Sequence, residues 1–156
     1  ICPLVKAAID LIEKKINRQG VRIETNCPRD LPKLMLYPQG IQQVVINLVD
    51  NASDALETKD MHLEEKVVKV SCYVANTSSC QQICLEVSDR GQGMSPDVLK
   101  KSKETFFSTK PSSKGTGLGL SIVADIVSRH NGEMDIESVE GEYTKVKIYL
   151  PVRGES

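Results

Sequence analysis

The sequence predicts an α+β fold, a two-layer sandwich in which about three helices cover one face of a mixed, mostly antiparallel sheet. Three segments carry apolar residues at the spacing of an amphipathic helix, and five shorter segments alternate apolar and polar residues. Alternation indicates strands with one covered face and one wet face. At 156 residues, 40% hydrophobic and 26% charged, the chain can bury a core, so we expect residues 1–156 to form a single domain.

The three helices are predicted from their apolar stripes. The first covers about residues 3–20 and stops at Gly20, the second runs from about Gln39 to Glu57, and the third follows Gly119. The second helix has an unusual feature, because Asn47 and Asn51 lie one turn apart beside its apolar stripe. Asparagine is a poor helix former, so the two amides need an explanation.

The five strands are predicted at residues 21–25, 67–74, 83–89, 133–138 and 144–150. Three prolines make the segment from residue 26 to 38 a connection rather than a regular element. Residues 90–118 are broken by glycines and show little periodicity, so we expect an irregular segment there.

Composition excludes several classes of function. The net charge of −1, with both signs mixed along the chain, does not indicate a nucleic-acid-binding protein. The longest apolar runs fall short of the roughly 20 residues that a membrane span requires. The five cysteines are scattered without a CxxC pair, which predicts reduced thiols in a cytoplasmic protein rather than a metal cluster. The first residue is Ile1, so we expect a fragment of a larger protein.

Two glycine-containing motifs have the residue types that a nucleotide needs. In "DRGQGM", Asp89 follows a strand and offers an acceptor for a purine amino group, while Gly91 and Gly93 leave room for a flat ring. In "KGTGLGLS", alternate glycines open an apolar helix, which allows backbone N–H groups to approach an anion. This second motif is neither a Walker A loop nor a dinucleotide fingerprint. Each motif alone is also compatible with an ordinary turn or helix entry.

Together, "NLVDNA" on a helix, "DRGQGM" after a strand and "GTGLGLS" before a helix resemble the nucleotide-binding domain of sensor histidine kinases. The wider group includes DNA gyrase B, the Hsp90 chaperones and MutL. "FFSTKP", with the two phenylalanines of the chain, is similar to the phenylalanine box of those kinases, in particular the nitrogen-regulation type. The resemblance covers about residues 3–151 and implies the Bergerat fold.

The resemblance also implies roles for individual residues. Asn51 would be the ligand of Mg²⁺ on the ATP phosphates, and Asn47 would face the same phosphates as a catalytic residue. Asp89 would bind the adenine amino group. The other expected nucleotide-binding residues are Gly91, Gly93, Met94, Phe107, Lys114, Gly115, Thr116, Gly117, Leu118, Gly119, Leu120 and Thr144.

Residues 95–114 would form the ATP lid, held by Phe106 and Phe107. Many sensor kinases carry a Lys or Arg three residues after the metal-binding asparagine, but here Asp54 occupies that position. The phosphate-binding cation must therefore come from elsewhere, and Lys110, as a catalytic residue, and Lys114 are the candidates.

The activity implied is transfer of the γ-phosphate of ATP to a histidine on a separate dimerisation domain, which would pass it to a response regulator. Neither His62, in a charged loop, nor His130, at a helix end, is expected to be the acceptor. We therefore expect a monomeric, cytoplasmic fragment with little autophosphorylation, cut from a homodimeric protein that could be anchored in a membrane.

Three alternatives remain at this point. A gyrase- or Hsp90-like ATPase is disfavoured because those relatives place a glutamate base where this chain has Asn47. A serine or dehydrogenase kinase of the same superfamily, and a nucleotide-sensing module without transfer activity, are both compatible with the motifs.

Overall fold

The computed structural model describes residues 1–107 and 117–153, apart from the side chains of residues 105–107 and 117–118. The described helices are α1 (Cys2–Arg18), α2 (Pro38–Glu57), α3 (Pro96–Phe107) and α4 (Gly117–Arg129), with a short 3₁₀ turn at Leu63–Glu65. Across these two ranges, every helix is too short or too polar to cross a membrane.

The strands form one five-stranded sheet in the order β1-β2-β3-β5-β4. Their bounds are β1 (Arg22–Asn26), β2 (Val67–Asn76), β3 (Gln81–Asp89), β4 (Glu133–Val139) and β5 (Tyr143–Pro151). β1 runs parallel to β2, and all other neighbours are antiparallel. The α+β class and the mixed, mostly antiparallel sheet are thus confirmed.

The core lies between the helices and one face of the sheet. On β5, Thr144, Val146, Ile148 and Leu150 are buried in strict alternation, as a strand with one covered face requires. The helices contribute stripes at the predicted spacing, such as Val5, Ala8, Ile9, Ile12 and Ile16 on α1. Burying each large apolar side chain contributes about 1.5–3 kcal/mol, which makes this single layer contact the main source of stability.

Helix α3 lies where an irregular segment was expected, so the described chain has four long helices. The hydroxyl of Ser95 accepts a hydrogen bond from Val98 N at 3.3 Å, and Pro96 occupies the first turn. Ser, Pro and Asp in succession are a helix-start signal. The helix is mostly polar, packs against α4 and β4 and places Leu99 against the core.

The cysteine prediction was wrong for one pair. Cys2, at the start of α1, and Cys27, just after β1, form a disulfide that ties the helix to the connection leading into α2. Cys72 and Cys84 are buried free thiols and Cys80 is exposed, as expected. A pairing across 25 residues depends on how α1 and β1 fold back on each other, which cysteine spacing does not reveal.

His130 joins the end of α4 to the start of α2. Its Nε2 accepts a hydrogen bond from the backbone N–H of Tyr37 at 3.0 Å, and its Nδ1 lies 2.8 Å from the carbonyl oxygen of Ile126. The two contacts together require the neutral ring with its proton on Nδ1. His130 therefore has the structural role at a helix end that the sequence predicted.

Candidate functional site

A cavity of about 450 Å³ opens between α2, the β3–β5 pair, the loop after β3 and the inner face of α3. This volume lies within the range of small-molecule sites. Its walls are formed by seventeen described residues. They are Leu48, Asn51, Ala52, Asp54, Ala55, Thr58, Val87, Asp89, Gln92, Gly93, Met94, Val98, Lys101, Ser102, Leu120, Thr144 and Val146.

Asn51 of α2 lines the cavity beside the first turn of α4, and Asn47 lies one helical turn earlier. A methyl group placed on Gly119, in the first turn of α4, would lie 3.5 Å from Nδ2 and 3.6 Å from Oδ1 of Asn51. The Oδ1 atom of Asn47 accepts a hydrogen bond from Gln43 at 3.0 Å. Its Nδ2 atom is buried and has no partner among the described residues. A buried donor without a partner costs about 1–3 kcal/mol, so an acceptor brought to this N–H group would be stabilising.

Asp89 ends β3 as an acidic side chain that is 6% exposed. Its Oδ1 accepts the backbone N–H of Gly91 at 2.8 Å, which fixes the carboxylate against the following loop. Burial raises the pKa of Asp89 to about 6, against the lowering effects of the Gly91 hydrogen bond and of the Lys59 charge. The carboxylate is therefore mostly ionised at neutral pH and can accept an amino group.

Gly91 and Gly93 are required where the chain passes other backbone. A Cβ atom on Gly91 would lie 2.7 Å from the carbonyl group of Ala55 on α2. Gly93 has φ +64°, and its Cβ atom would lie 2.0 Å from the carbonyl oxygen of Val139. Any side chain at either position would therefore displace the loop that forms one wall of the cavity.

Hydrogen bonds through the hydroxyl groups of Ser138 and Thr144 fix the wall formed by β4 and β5. Ser138 Oγ donates to the carbonyl of Tyr143 at 2.8 Å and accepts the backbone N–H of Met94 at 2.8 Å. Since the Ser138 proton is thus used, the hydroxyl of Thr144, 2.9 Å away, is the donor in their contact. Thr144 lies directly opposite Asp89 in the β3–β5 register and keeps its acceptor sites toward the cavity.

Charged residues of both signs lie on the cavity wall, and only some of them were predicted. Asp54 lies there, and partial burial followed by the negative charge of Asp50 raises its pKa. Lys101 on α3 also lines the cavity and places a basic residue at this wall. The predicted cations Lys110 and Lys114 lie outside the described residues.

The structure brings together most predicted residues that it describes. Asn51, Asp89, Gly93, Met94, Leu120 and Thr144 line the cavity, while Asn47, Gly91 and Gly119 lie next to lining residues. Gly115 and Thr116 lie outside the described residues, as do the side chains of Phe106, Phe107 and Leu118; for Gly117 the structure gives its place at the start of α4. The described residues of the three motifs therefore lie in or beside one cavity.

Three cavity residues were not predicted: Val98, Lys101 and Ser102, which lie on one face of α3 at helical spacing. The start signal at Ser95 could have revealed the helix and therefore this face. Thr58 and Gln92, whose side chains hydrogen-bond to each other at the edge of the cavity, were also not predicted.

A second, wider depression of about 1370 Å³ lies beside the open face of the sheet. It is lined by charges of both signs from β1, β2 and β5 and by the segment after α2. Neither asparagine of α2 borders it, so the smaller cavity is the candidate site.

A family profile described as "Histidine kinase-, DNA gyrase B-, and HSP90-like ATPase" matches residues 37–154, which include the whole cavity. The chain belongs to this family. Its resemblance to the sensor histidine kinase domain, predicted from the three motifs, is thereby confirmed, and the sheet-and-helix sandwich described above is the Bergerat fold. Membership of this family is evidence for ATP binding and for phosphoryl transfer of the kind found in two-component kinases.

Curated relatives agree with this assignment. Sporulation kinase E of Bacillus subtilis is 30% identical over 154 residues, which are 98% of this chain and 19% of the relative. Sensor histidine kinase ZraS of Escherichia coli K12 is 28% identical over 149 residues, or 96% of this chain and 30% of the relative. The chain therefore spans less than a third of the length of these relatives.

Solved structures share the fold. The catalytic domain of histidine kinase ThkA superposes with a TM-score of 0.72 at 24% identity, covering 97% of this chain and 92% of that domain. Full-length ShkA in complex with AMPPNP gives a TM-score of 0.74 at 18% identity, covering 99% of this chain and 30% of ShkA.

Proposed function

We propose that the chain binds ATP with Mg²⁺ in the 450 Å³ cavity and donates the γ-phosphate to a histidine on a separate dimerisation domain of a two-component sensor kinase. The observation that carries this proposal is that one cavity is lined both by a buried acceptor, Asp89, and by the amide of Asn51, one helical turn from Asn47, whose buried Nδ2 has no partner among the described residues. An adenine amino group and a phosphate have the matching chemistry. AMPPNP in the related ShkA structure supports the same class of ligand.

At the adenine end, the base would lie between the glycine loop and the β3–β5 pair. The carboxylate of Asp89 would accept the exocyclic amino group, and the hydroxyl of Thr144, held by Ser138, would contact the base edge. Val87, Val146 and Leu120 supply apolar surface for a flat ring. Gly91 and Gly93 allow the loop that borders this space to pack against the backbone of Ala55 and Val139.

At the phosphate end, the residues present fit Mg²⁺ bound together with a polyphosphate. The described residues contain no group of three or more His, Cys, Asp or Glu side chains that could hold a metal by themselves. The amide oxygen of Asn51 is a hard donor of the kind Mg²⁺ accepts, and phosphate oxygens and water would supply the other ligands. When bound, Mg²⁺ would neutralise charge on the phosphates. Asn47 would donate a hydrogen bond to them, and residues 115–120 would offer backbone N–H groups.

The chemical step would depend on positioning and electrostatics, as phosphoryl transfer generally does. Asn47 cannot act as a base, so the site lacks the group with which hydrolysing relatives activate water. Lys101 on the cavity wall joins Lys110 and Lys114 as a candidate for binding the phosphates in place of the cation that Asp54 replaces. The asparagine at position 47, in place of a base, favours transfer of the phosphate to a partner over hydrolysis.

The partners proposed are a histidine-containing dimerisation domain of the same protein and a downstream response regulator. The chain itself would be a monomer located in the cytoplasm, within a homodimeric full-length kinase. Curated relatives that are sensor kinases several times longer than this chain support this arrangement.

Calorimetric titration with ATP, with and without Mg²⁺, tests the proposed site. Binding is expected to tighten with Mg²⁺ in the natural chain, and Asn51→Ala should remove at least about tenfold of that Mg²⁺-dependent gain, because the metal loses its protein ligand. Asn17→Ala, at an exposed position of α1, is the matched control and should behave as the natural chain. Equal Mg²⁺ dependence in Asn51→Ala and the natural chain would remove Asn51 from the metal site.

A further inference from the structure

Two loops meet beside the buried carboxylate. One is the aspartate loop, residues 89–94, and the other is the β4–β5 turn, residues 139–143. Gly141 N donates to the carbonyl of Gln92 at 2.6 Å, and Gly93 packs on the backbone of Val139. The β3–β5 register sets the position of Asp89 relative to Thr144, whereas the orientation of the Asp89 carboxylate depends on the aspartate loop, because Gly91 N–H binds it.

Lys59, two residues after the end of α2, contacts both loops. Its Nζ atom donates to the carbonyl of Arg90 at 2.9 Å and to the carbonyl of Gly141 at 3.0 Å. Both acceptors are backbone groups, and both bonds come from a charged donor, which makes them stronger than neutral hydrogen bonds. One ammonium group thus links the end of α2, the aspartate loop and the β4–β5 turn.

A second set of contacts ties the aspartate loop to α2 at the same place. The backbone N–H of Gln92 donates to the carbonyl of Ala55 at 3.3 Å, and the Gln92 side chain reaches the hydroxyl of Thr58. Lys59 completes this set by adding the β4–β5 turn. Lys59 does not line the 450 Å³ cavity, so its effect on a ligand has to pass through the loops.

We propose that Lys59 is a positioning residue for adenine recognition: its ammonium holds the aspartate loop against the β4–β5 turn in the arrangement in which Gly91 orients the Asp89 carboxylate toward the base. This inference rests on the proposed function, since it assumes that adenine binds at Asp89. It assigns to the segment after α2 a role at the adenine end rather than at the phosphate end.

The charge of Lys59 acts in the same direction as its hydrogen bonds. Burial is the largest influence on Asp89 and raises its pKa, while the positive charge of Lys59 lowers it and so favours the carboxylate. Other charged groups border Asp89 from the surrounding elements. They are Asp54 and Lys101 on the cavity side, and Arg90, Glu142 and Lys145 on the side of the open sheet face.

Lys59→Met, compared with Lys66→Met, tests the inference by titration with ATP and with ADP between pH 5 and 8. Lys66 is the matched control because its Nζ atom contacts one carbonyl of α2, that of Glu57 at 3.5 Å, and joins no loops. Lys59→Met should weaken ATP and ADP equally, by about tenfold, because two charge-assisted bonds behind the adenine site are lost. The acid midpoint of binding should also move to higher pH, because Asp89 loses a stabilising cation. Lys59→Arg should restore most of both properties.

The outcomes separate this inference from the proposed function. If the natural chain binds neither ATP nor ADP, the proposed function fails. If it binds both and Lys59→Met matches Lys66→Met in affinity and acid midpoint, the positioning role of Lys59 is wrong while the nucleotide site stands. A lower melting temperature of Lys59→Met with an unchanged acid midpoint would also overturn it, because that result assigns Lys59 to stability alone.

Discussion

Asp89 is the residue at which stability and function conflict most clearly. Its carboxylate is 6% exposed, and no cation forms a direct ion pair with it among the described residues. The pKa of about 6 in the folded chain, against an ordinary 3.8, means that ionising Asp89 costs the fold about 3 kcal/mol above pH 6. Because the folded pKa is the higher one, this group's contribution to stability declines as pH rises from about 4 to 6. A charge retained at this cost is consistent with a role in binding.

Asp89→Asn separates the two effects. The substituted amide keeps an oxygen for Gly91 N–H but removes the buried charge, so the free energy of unfolding at pH 8 should rise by about 1–2 kcal/mol. Adenine nucleotide affinity should fall at least about tenfold, because the ionised acceptor is lost. Urea unfolding and ATP titration from pH 5 to 8 measure both.

The pH profiles provide the control for this substitution. The natural chain should lose affinity as pH falls through about 6, whereas Asp89→Asn should bind weakly and evenly over the same range. A destabilised Asp89→Asn chain at pH 8, or identical pH profiles, would contradict the assignment of Asp89.

Gly91 and Gly93 were predicted to leave room for a flat ring, whereas the structure shows a different reason for them. Each passes so close to the backbone of Ala55 or Val139 that only a residue without a side chain fits. Lys59 could not be predicted, because its partners lie 31 and 82 residues away and are backbone carbonyls that any sequence provides.

At the scale of elements, α2 is the helix on which the site is built. It presents a buried stripe to the sheet and Asn51 to the cavity. Its start is held by His130, just after α4, and the connection before it is tied by the Cys2–Cys27 disulfide. The apolar stripe predicted this helix within one residue, whereas the two tethers depend on tertiary contacts and were not predictable from periodicity.

Helix α3 shows the opposite case. It has a clear start signal at Ser95 and Pro96 but few apolar residues, so a search for periodicity does not find it. Helix α3 packs against α4, a tertiary contact that its own sequence does not reveal. This helix places Val98, Lys101 and Ser102 along the cavity and lies within the segment proposed as the ATP lid.

Reduction of the disulfide tests the tether on α1. A link that closes 25 residues should contribute about 3 kcal/mol by restricting the unfolded chain, so dithiothreitol should lower the free energy of unfolding by about that amount. Cys2→Ser should unfold at the lower value with or without the reductant. Cys80→Ser, at the exposed free thiol, is the control and should remain sensitive.

An unfolding midpoint of the natural chain that does not respond to dithiothreitol would show that the link adds no stability. Cytoplasmic thiols are usually kept reduced. Trapping the thiols with an alkylating agent at cell lysis therefore tests the proposed cytoplasmic location as well, which predicts that Cys2 and Cys27 are alkylated there.

At the scale of the whole molecule, the chain has a nucleotide site and no acceptor histidine beside it. His62 and His130 are its two histidines, and neither lines the cavity. His62 is exposed in the segment after α2, and both ring nitrogens of His130 are engaged in backbone contacts. The local motifs of the sequence predict the nucleotide site, and an acceptor histidine on a separate domain stays a prediction.

The most direct measurement is incubation of the purified chain with γ-labelled ATP and Mg²⁺, with and without a helical dimerisation domain that carries a histidine. We predict little label on the chain alone and acid-labile label on the added domain, because phosphohistidine is unstable in acid. Replacing the acceptor histidine of the added domain by glutamine should abolish the transfer. Label on the chain itself, acid-stable label on serine, or release of phosphate to water without transfer would contradict the central proposal that this domain hands the γ-phosphate of ATP to a partner histidine.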